Sequence, residues 1–262
     1  MSDRFIRFTT SGSSDIHYGV VRGDTVTRLA KAPWLGMSAA QDVNRSDNVT
    51  KITNVTLKAP VEPSKIVCIG LNYHAHVKAS LSSNKPPEYP LVFLKPPSAV
   101  IGPDDNIILP PQSQRVDYEA ELGVVIGQKI KNATVAEAAE AVFGLTCVND
   151  VTARDLQQKD GQWSRAKGFD TFCPVGPWIV TDIDYRNLPV EGVLNGDIKQ
   201  SGRTSQMIFN TPYLISYISS IMTLYPGDLI STGTPSGISP MKPGDKIEVR
   251  IEGVGTLMNY VV

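Results

Sequence analysis

The stretch DYEAELGVVIG, residues 117–127, sets two acidic residues directly before a run of apolar ones. Side chains two apart on a strand point to the same face, with backbones roughly 6–7 Å apart. Glu119 and Glu121 therefore aim at one point. Leu122 to Ile126 reads as a buried strand. A Glu-x-Glu pair on a strand is ordinarily a solvated face. Beside a core strand, however, two carboxylates repel each other and resist desolvation, and a divalent cation removes both penalties. A second apolar stretch, FGLTCVND at 143–150, ends on Asp150. A dense polar segment follows it, with Thr152, Arg154, Asp155, Gln157 and Gln158, and sites are commonly built at such strand ends. Three carboxylates with room left for water and substrate suit Mg²⁺ or Mn²⁺, which prefer hard oxygen ligands. Glu119, Glu121 and Asp150 are the expected metal ligands.

Working outward, the 262-residue chain is 41% hydrophobic, enough for a sizeable core. Lys plus Arg is 25 and Asp plus Glu is 26. No basic block suggests nucleic acid and no acidic tail suggests disorder. Cys68, Cys147 and Cys173 lie among apolar residues with no C-x-x-C, which points to reduced thiols and against a structural zinc site. The N-terminus lacks an apolar signal core, and apolar runs fall short of the roughly 18 residues of a membrane helix. A soluble cytoplasmic protein with no membrane partner is expected.

Residues 1–58 read as a small module, with a hairpin turning at Arg22-Gly23-Asp24. Residues 36–54 carry little pattern and suggest a short helix and a variable connection. Residues 59–262 form the second region. It opens with a strand over Ile66–Ile69 and a lid-like stretch from about 74 to 90, broken by Pro86, Pro87 and Pro90. A capping box, Thr134 with Glu137, predicts a helix over 135–142. Asn195-Gly196 predicts a type I′ hairpin. The segment 210–228 predicts a helix with Pro212 in its first turn and Leu214, Ile215, Ile218, Ile221 and Met222 as core. Strands dominate, so the class is α+β with a β-rich core.

Other residues bear on chemistry. Lys167 follows Asp150 by seventeen positions in an aromatic, polar segment, where a cation near a metal centre stabilises an enolate or a carboxylate. Arg154 would pair with the metal-binding carboxylates or with substrate. ISTGTPSGI, 230–238, places Ser231, Thr232 and Thr234 in a turn suited to holding an anion. His74 and His76 sit on the lid-like stretch, and acid–base work by one of them fits an imidazole near neutral pH.

GLNYHAH, FLKPPSA, DYEAELGVVIG, NDVTARDLQ, AKGFDTFCPVGP, NGDIKQSG and STGTPSGI occur in this order from about residue 60 onward. In these motifs the chain resembles the fumarylacetoacetate hydrolase family. The resemblance implies a β-rich catalytic domain of mixed sandwich or roll type, a small N-terminal α/β domain and a homodimer. It implies Mg²⁺ or Mn²⁺ on Glu119, Glu121 and Asp150, with Lys167, Gln157 and Thr234 holding the oxo-acid end of a small-molecule substrate and Arg154 near the metal. His76 matches the lid histidine that activates water in the hydrolases together with a glutamate three positions later. That position is Ala79 here, and Glu88, further along the lid-like stretch, is the alternative carboxylate. The leading expectation is C–C bond hydrolysis of an acylpyruvate. The alternatives are oxaloacetate decarboxylation, keto–enol tautomerisation or isomerisation, and an oxo-acid-binding protein that has lost catalysis.

Overall fold

A computed structural model describes residues 3–35, 49–79 and 85–262, without the side chains of Lys78 and Ala79. The predicted buried strand is Ala120–Ile126, and all seven of its residues are buried. It lies inside a 12-stranded sheet. Val142–Asn149 pairs with it antiparallel on one side and Leu229–Ser231 on the other. Ile66–Gly70 runs parallel to Leu229–Ser231, and Leu91–Lys95 pairs with Ile66–Gly70. In the other direction Val142–Asn149 pairs with Cys173–Val180.

The N-terminal module continues the same sheet. Its first strand, Arg4–Thr10, pairs with Cys173–Val180 through Arg4↔Val180 and Phe5↔Ile179. His17–Arg22 and Thr25–Leu29 form the expected hairpin, with Gly23 at φ 63°. Of the expected helix and connection at 36–54, residues 36–48 lie outside the described residues, and 49–54 form a short strand and a 3₁₀ turn.

Alternation along Ala120–Ile126 explains the layering. Ala120, Leu122, Val124 and Ile126 face one cluster together with Val190, Val249 and Ile251. These three belong to a five-stranded sheet built mainly from Asp197–Arg203, Pro189–Leu194, Lys246–Ile251 and Gly255–Val261. Leu214, Ile215 and Ile218 of the helix Thr211–Ile221 pack into the same cluster. That helix starts as predicted, with Asn210 as cap and Pro212 in the first turn. It stops at Ile221, which is exposed, and Met222 is already extended, so of the predicted stripe only Leu214, Ile215 and Ile218 are core positions of the helix. The odd positions of the central strand, Glu121 and Val125, point to the opposite side, where Val125 packs with Ile66, Cys68, Val148 and Cys173.

The smaller predictions match closely. Thr134 and Glu137 form both bonds of the capping box, and the helix spans Val135–Glu140, because Val142 is needed as the first residue of the next strand. Asn195 and Gly196 have φ of 53° and 90°, as a type I′ turn requires. Cys68, Cys147 and Cys173 are buried free thiols, and burial pushes Cys147 and Cys173 up to about 12.

One buried side chain ties the five-stranded sheet to the central strand. Gln200 accepts the Ala120 N–H at 2.9 Å and donates to the Thr234 hydroxyl at 2.8 Å and the Pro235 carbonyl at 2.7 Å. Removing it strands a buried N–H between Glu119 and Glu121, and leaving such a group unpaired costs about 1–3 kcal/mol. Gln200→Ala is expected to lower the unfolding free energy by that amount, seen as a lower urea midpoint at an unchanged slope. An unshifted midpoint would show that the clamp is dispensable.

Candidate active site

Glu119, just before the central strand, is bonded to the last residue of Val142–Asn149 and to the residue that follows it. The Glu119 N–H donates to Asn149 Oδ1, and the Asp150 N–H donates to the Glu119 carbonyl, both at 2.9 Å. These bonds set Asp150 beside Glu119. The strand period sets Glu121 on the same face. Carboxylate oxygens of Glu119, Glu121 and Asp150 all lie within 4.8 Å of one another, and all three residues are buried.

Such a cluster requires cations, and the fold supplies three. Lys167 Nζ donates to Glu119 Oε2 at 2.9 Å and to Asp150 Oδ2 at 2.5 Å. Lys95 Nζ donates to Asp150 Oδ1 at 2.5 Å and to the Val151 carbonyl at 3.0 Å. Arg154 spends each guanidinium nitrogen on a different partner: Asp117, Gln157 and Glu119. Its position beside the carboxylates was one of the two anticipated from sequence. Lys95 was missed. It lies in a strand followed by Pro-Pro, and nothing in that pattern distinguishes a fully buried lysine from a solvated one.

The three carboxylates are not equivalent. Burial opposes ionisation of Glu119, but Lys167 and Arg154 outweigh it and hold the group well below the usual carboxylate range. Glu121 makes no ion pair among the described residues. Its Oε2 accepts only the Ser231 hydroxyl at 2.6 Å and the Gly233 N–H at 2.8 Å. Burial, then the charges of Asp150 and Glu119, push it well above the ordinary value. Lys167 is raised: burial disfavours the ammonium, but Asp150 and Glu119 prevail. A carboxylate lacking a cation, beside two that have one, is the arrangement a hard divalent ion completes, so the residues present fit Mg²⁺ or Mn²⁺.

The remaining expected residues converge on the same place. A small cavity of about 20 Å³ is lined by Glu119, Glu121, Arg154, Gln157, Lys167 and Thr234, and also by His76 and Trp163. The Thr234 hydroxyl is held between Gln200 and the Ala120 carbonyl. His76 is buried in the helix His74–Ala79, whereas His74 is exposed, because i and i+2 on a helix face apart. Burial lowers the His76 pKa, Glu119 works against this, and Arg154 and Lys167 reinforce it, which favours the neutral ring. Glu88 is exposed. The Ala79 side chain lies outside the described residues, as do residues 80–84 of the expected lid.

A family model described as fumarylacetoacetate (FAA) hydrolase C-terminal matches residues 65–262, and an Rv2993c-like N-terminal model matches residues 3–60. The chain belongs to the fumarylacetoacetate hydrolase family. It is 43% identical over 288 aligned positions to the rat protein named oxaloacetate tautomerase Fahd2a, mitochondrial, covering 99% of this chain and 91% of the relative. Among solved structures, it resembles 2-hydroxyhepta-2,4-diene-1,7-dioate isomerase from Mycobacterium marinum, with TM-score 0.88, 40% identity and coverage of 99% and 98% of the two chains. It also resembles a fumarylacetoacetate hydrolase from Exiguobacterium antarcticum, with TM-score 0.85, 34% identity and 99% coverage of each chain. No helix among the described residues is long and apolar enough to cross a membrane.

The asymmetry among the carboxylates has a measurable consequence in metal-free protein. Glu121 has a folded pKa above its unfolded one. Its contribution to stability is therefore fully present below the unfolded carboxylate value and is lost as pH rises through the folded value. Glu119 has the opposite sign, contributing above its unfolded value and losing that contribution as pH falls. Glu121→Gln is expected to abolish the alkaline loss alone. In the wild type, Mn²⁺ at a hundred times its Kd should add about 2.7 kcal/mol, and the variant should gain far less. Urea midpoints against pH, with and without Mn²⁺, read both effects. Parallel curves for the two proteins would overturn this account.

Proposed function

We propose that this protein is a metal-dependent tautomerase or isomerase of a small 2-oxo acid, with Glu119, Glu121 and Asp150 holding Mg²⁺ or Mn²⁺. The observation that carries the choice over hydrolysis is the state of His76. It is a buried, neutral imidazole beside the charged cluster, and among the described residues no carboxylate is hydrogen-bonded to it. The sequence places Ala79 where the family's hydrolases use a glutamate, and Glu88 is exposed. Activating water asks for an imidazole made more basic by a carboxylate partner. Moving a proton between carbon and oxygen of a 2-oxo acid asks only for a neutral imidazole within reach. The names of the rat and Mycobacterium marinum relatives support the same reading.

The bound cation would act as a Lewis acid toward the 2-oxo group. Lys167, kept as an ammonium by Glu119 and Asp150, stabilises negative charge developing on the enolate oxygen. The neutral His76 ring accepts the enol proton and returns it to the adjacent carbon, so keto and enol forms exchange with no net change in atoms. Gln157 and Thr234 orient the carboxylate end. Arg154, held by Asp117, Gln157 and Glu119, positions Glu119.

Initial rates on enol-oxaloacetate and on one acylpyruvate, with Mg²⁺ present, test this reading. Wild type should ketonise the enol quickly and cleave the acylpyruvate slowly. Lys167→Ala should lose about 10²–10³-fold, and His76→Ala about 10²–10⁴-fold, in ketonisation. Ala79→Glu should raise cleavage. Acylpyruvate cleavage by the wild type as fast as ketonisation would make the hydrolase reading the correct one.

A further inference from the structure

We propose that Trp163 sets the length of substrate this site accepts, restricting it to oxo acids with a short group at the end distal to the 2-oxo carboxylate. This rests on the oxo-acid reading above and names the substrate class within it.

Besides the charged and hydrogen-bonding groups, the cavity is lined by Trp163 and by Ile69, Gly70 and Leu71, where the strand Ile66–Gly70 ends. The indole lies directly on the Gly70 backbone. A Cβ built at Gly70 would sit 2.6 Å from Trp163 Cζ3 and 2.9 Å from Cη2. No other residue type fits there without moving the ring. Phe93 meets the indole edge-on, with centroids 5.2 Å apart and planes at 72°. The ring is therefore held against two surfaces.

The same contacts tie the indole to the charged end of the site. Trp163 is the cap residue of the short helix Ser164–Lys167, and the Lys167 N–H donates to the Trp163 carbonyl at 3.0 Å. The Lys167 ammonium lies 4.9 Å from the centroid of Phe93, the ring that supports Trp163. One helical turn thus fixes the distance between the group that meets the oxo-acid end and the ring that meets the other end. Among the described residues, the two cations lining the cavity, Arg154 and Lys167, are already paired with carboxylates. What remains to discriminate among distal groups is size, and an apolar wall separates ligands by about tenfold or more per added methylene.

The test uses the full-length protein with saturating Mg²⁺ and two probes. One is oxalate. The other is a 2,4-dioxo acid with an extended alkyl tail. Calorimetry gives the affinities without turnover, so a failed tautomerase assay leaves the result readable. Wild type should bind oxalate and discriminate strongly against the long acid. In Trp163→Ala the ratio of the two affinities should shift toward the long acid by at least about tenfold. Trp163→Phe, which keeps an aromatic ring and safeguards folding, should shift it partway. Gly70→Ala, which pushes the ring, should shift it in the opposite direction. Oxalate should also change the indole fluorescence of wild type, and Trp163→Phe should remove that change although Trp34 and Trp178 remain. An unchanged ratio in both Trp163 variants, or an equal loss of both ligands, would overturn the proposal while leaving the oxo-acid reading intact. Failure of oxalate to bind the wild type would overturn both.

Discussion

Lys167 bridging Glu119 and Asp150 is the contact on which the site depends. Three carboxylates with oxygens inside 4.8 Å, all buried, would not stay ionised together without compensation. Lys167 is itself almost inaccessible, so it too would lose its charge if it stood alone. Each side keeps the other ionised. Breaking such a buried pair by removing one partner typically costs 3–5 kcal/mol, roughly, because the remaining charge has nowhere to go. Lys95 and Arg154 extend the same logic to the second oxygen of Asp150 and to Asp117. Among the described residues Glu121 makes no ion pair, so its ionisation is disfavoured, and a divalent ion is the charge that would offset this.

The scaffold makes this arrangement rigid. The two acidic positions project from a strand whose other face is packed against the five-stranded sheet and the Thr211–Ile221 helix. Register errors are costly here, because a one-residue slip would send Leu122 to the charged side and Glu121 into the apolar cluster. Gln200 and Thr234 then bind the Ala120 backbone between the glutamates, while Ser231 and Gly233 donate to the Glu121 carboxylate. A site held from both faces of a sheet suits chemistry in which atoms move little and charge moves a great deal.

In the proposed reading, hydrolysis and proton transfer would both use Glu119, Glu121, Asp150 and Lys167 and would separate at His76, where a carboxylate partner would set how basic the ring is. The proposed limit on substrate length would rest on a different element, the short helix Ser164–Lys167 capped by Trp163.

Much of this was legible from sequence because local rules and chemistry agreed. The period of two in DYEAELGVVIG placed Glu119 and Glu121 on one face, the capping box placed a helix at Thr134, and Asn195-Gly196 placed a turn. Each rests on bonds between residues near in sequence. Asp150, Lys167, His76 and Thr234 were named from strand ends, polar segments and ordered motifs, but the meeting of Lys167, His76 and Thr234 in one cavity, and of Asp150 with Lys167 beside it, depends on how distant strands pair. Only the tertiary structure decided that Lys95 is buried against Asp150, that Arg154 divides itself among three partners, that the N-terminal strands extend the catalytic sheet, and that Trp163 lies on Gly70. Those contacts join residues separated by tens of positions, and a contact of that kind leaves no periodicity in the chain for a sequence to display.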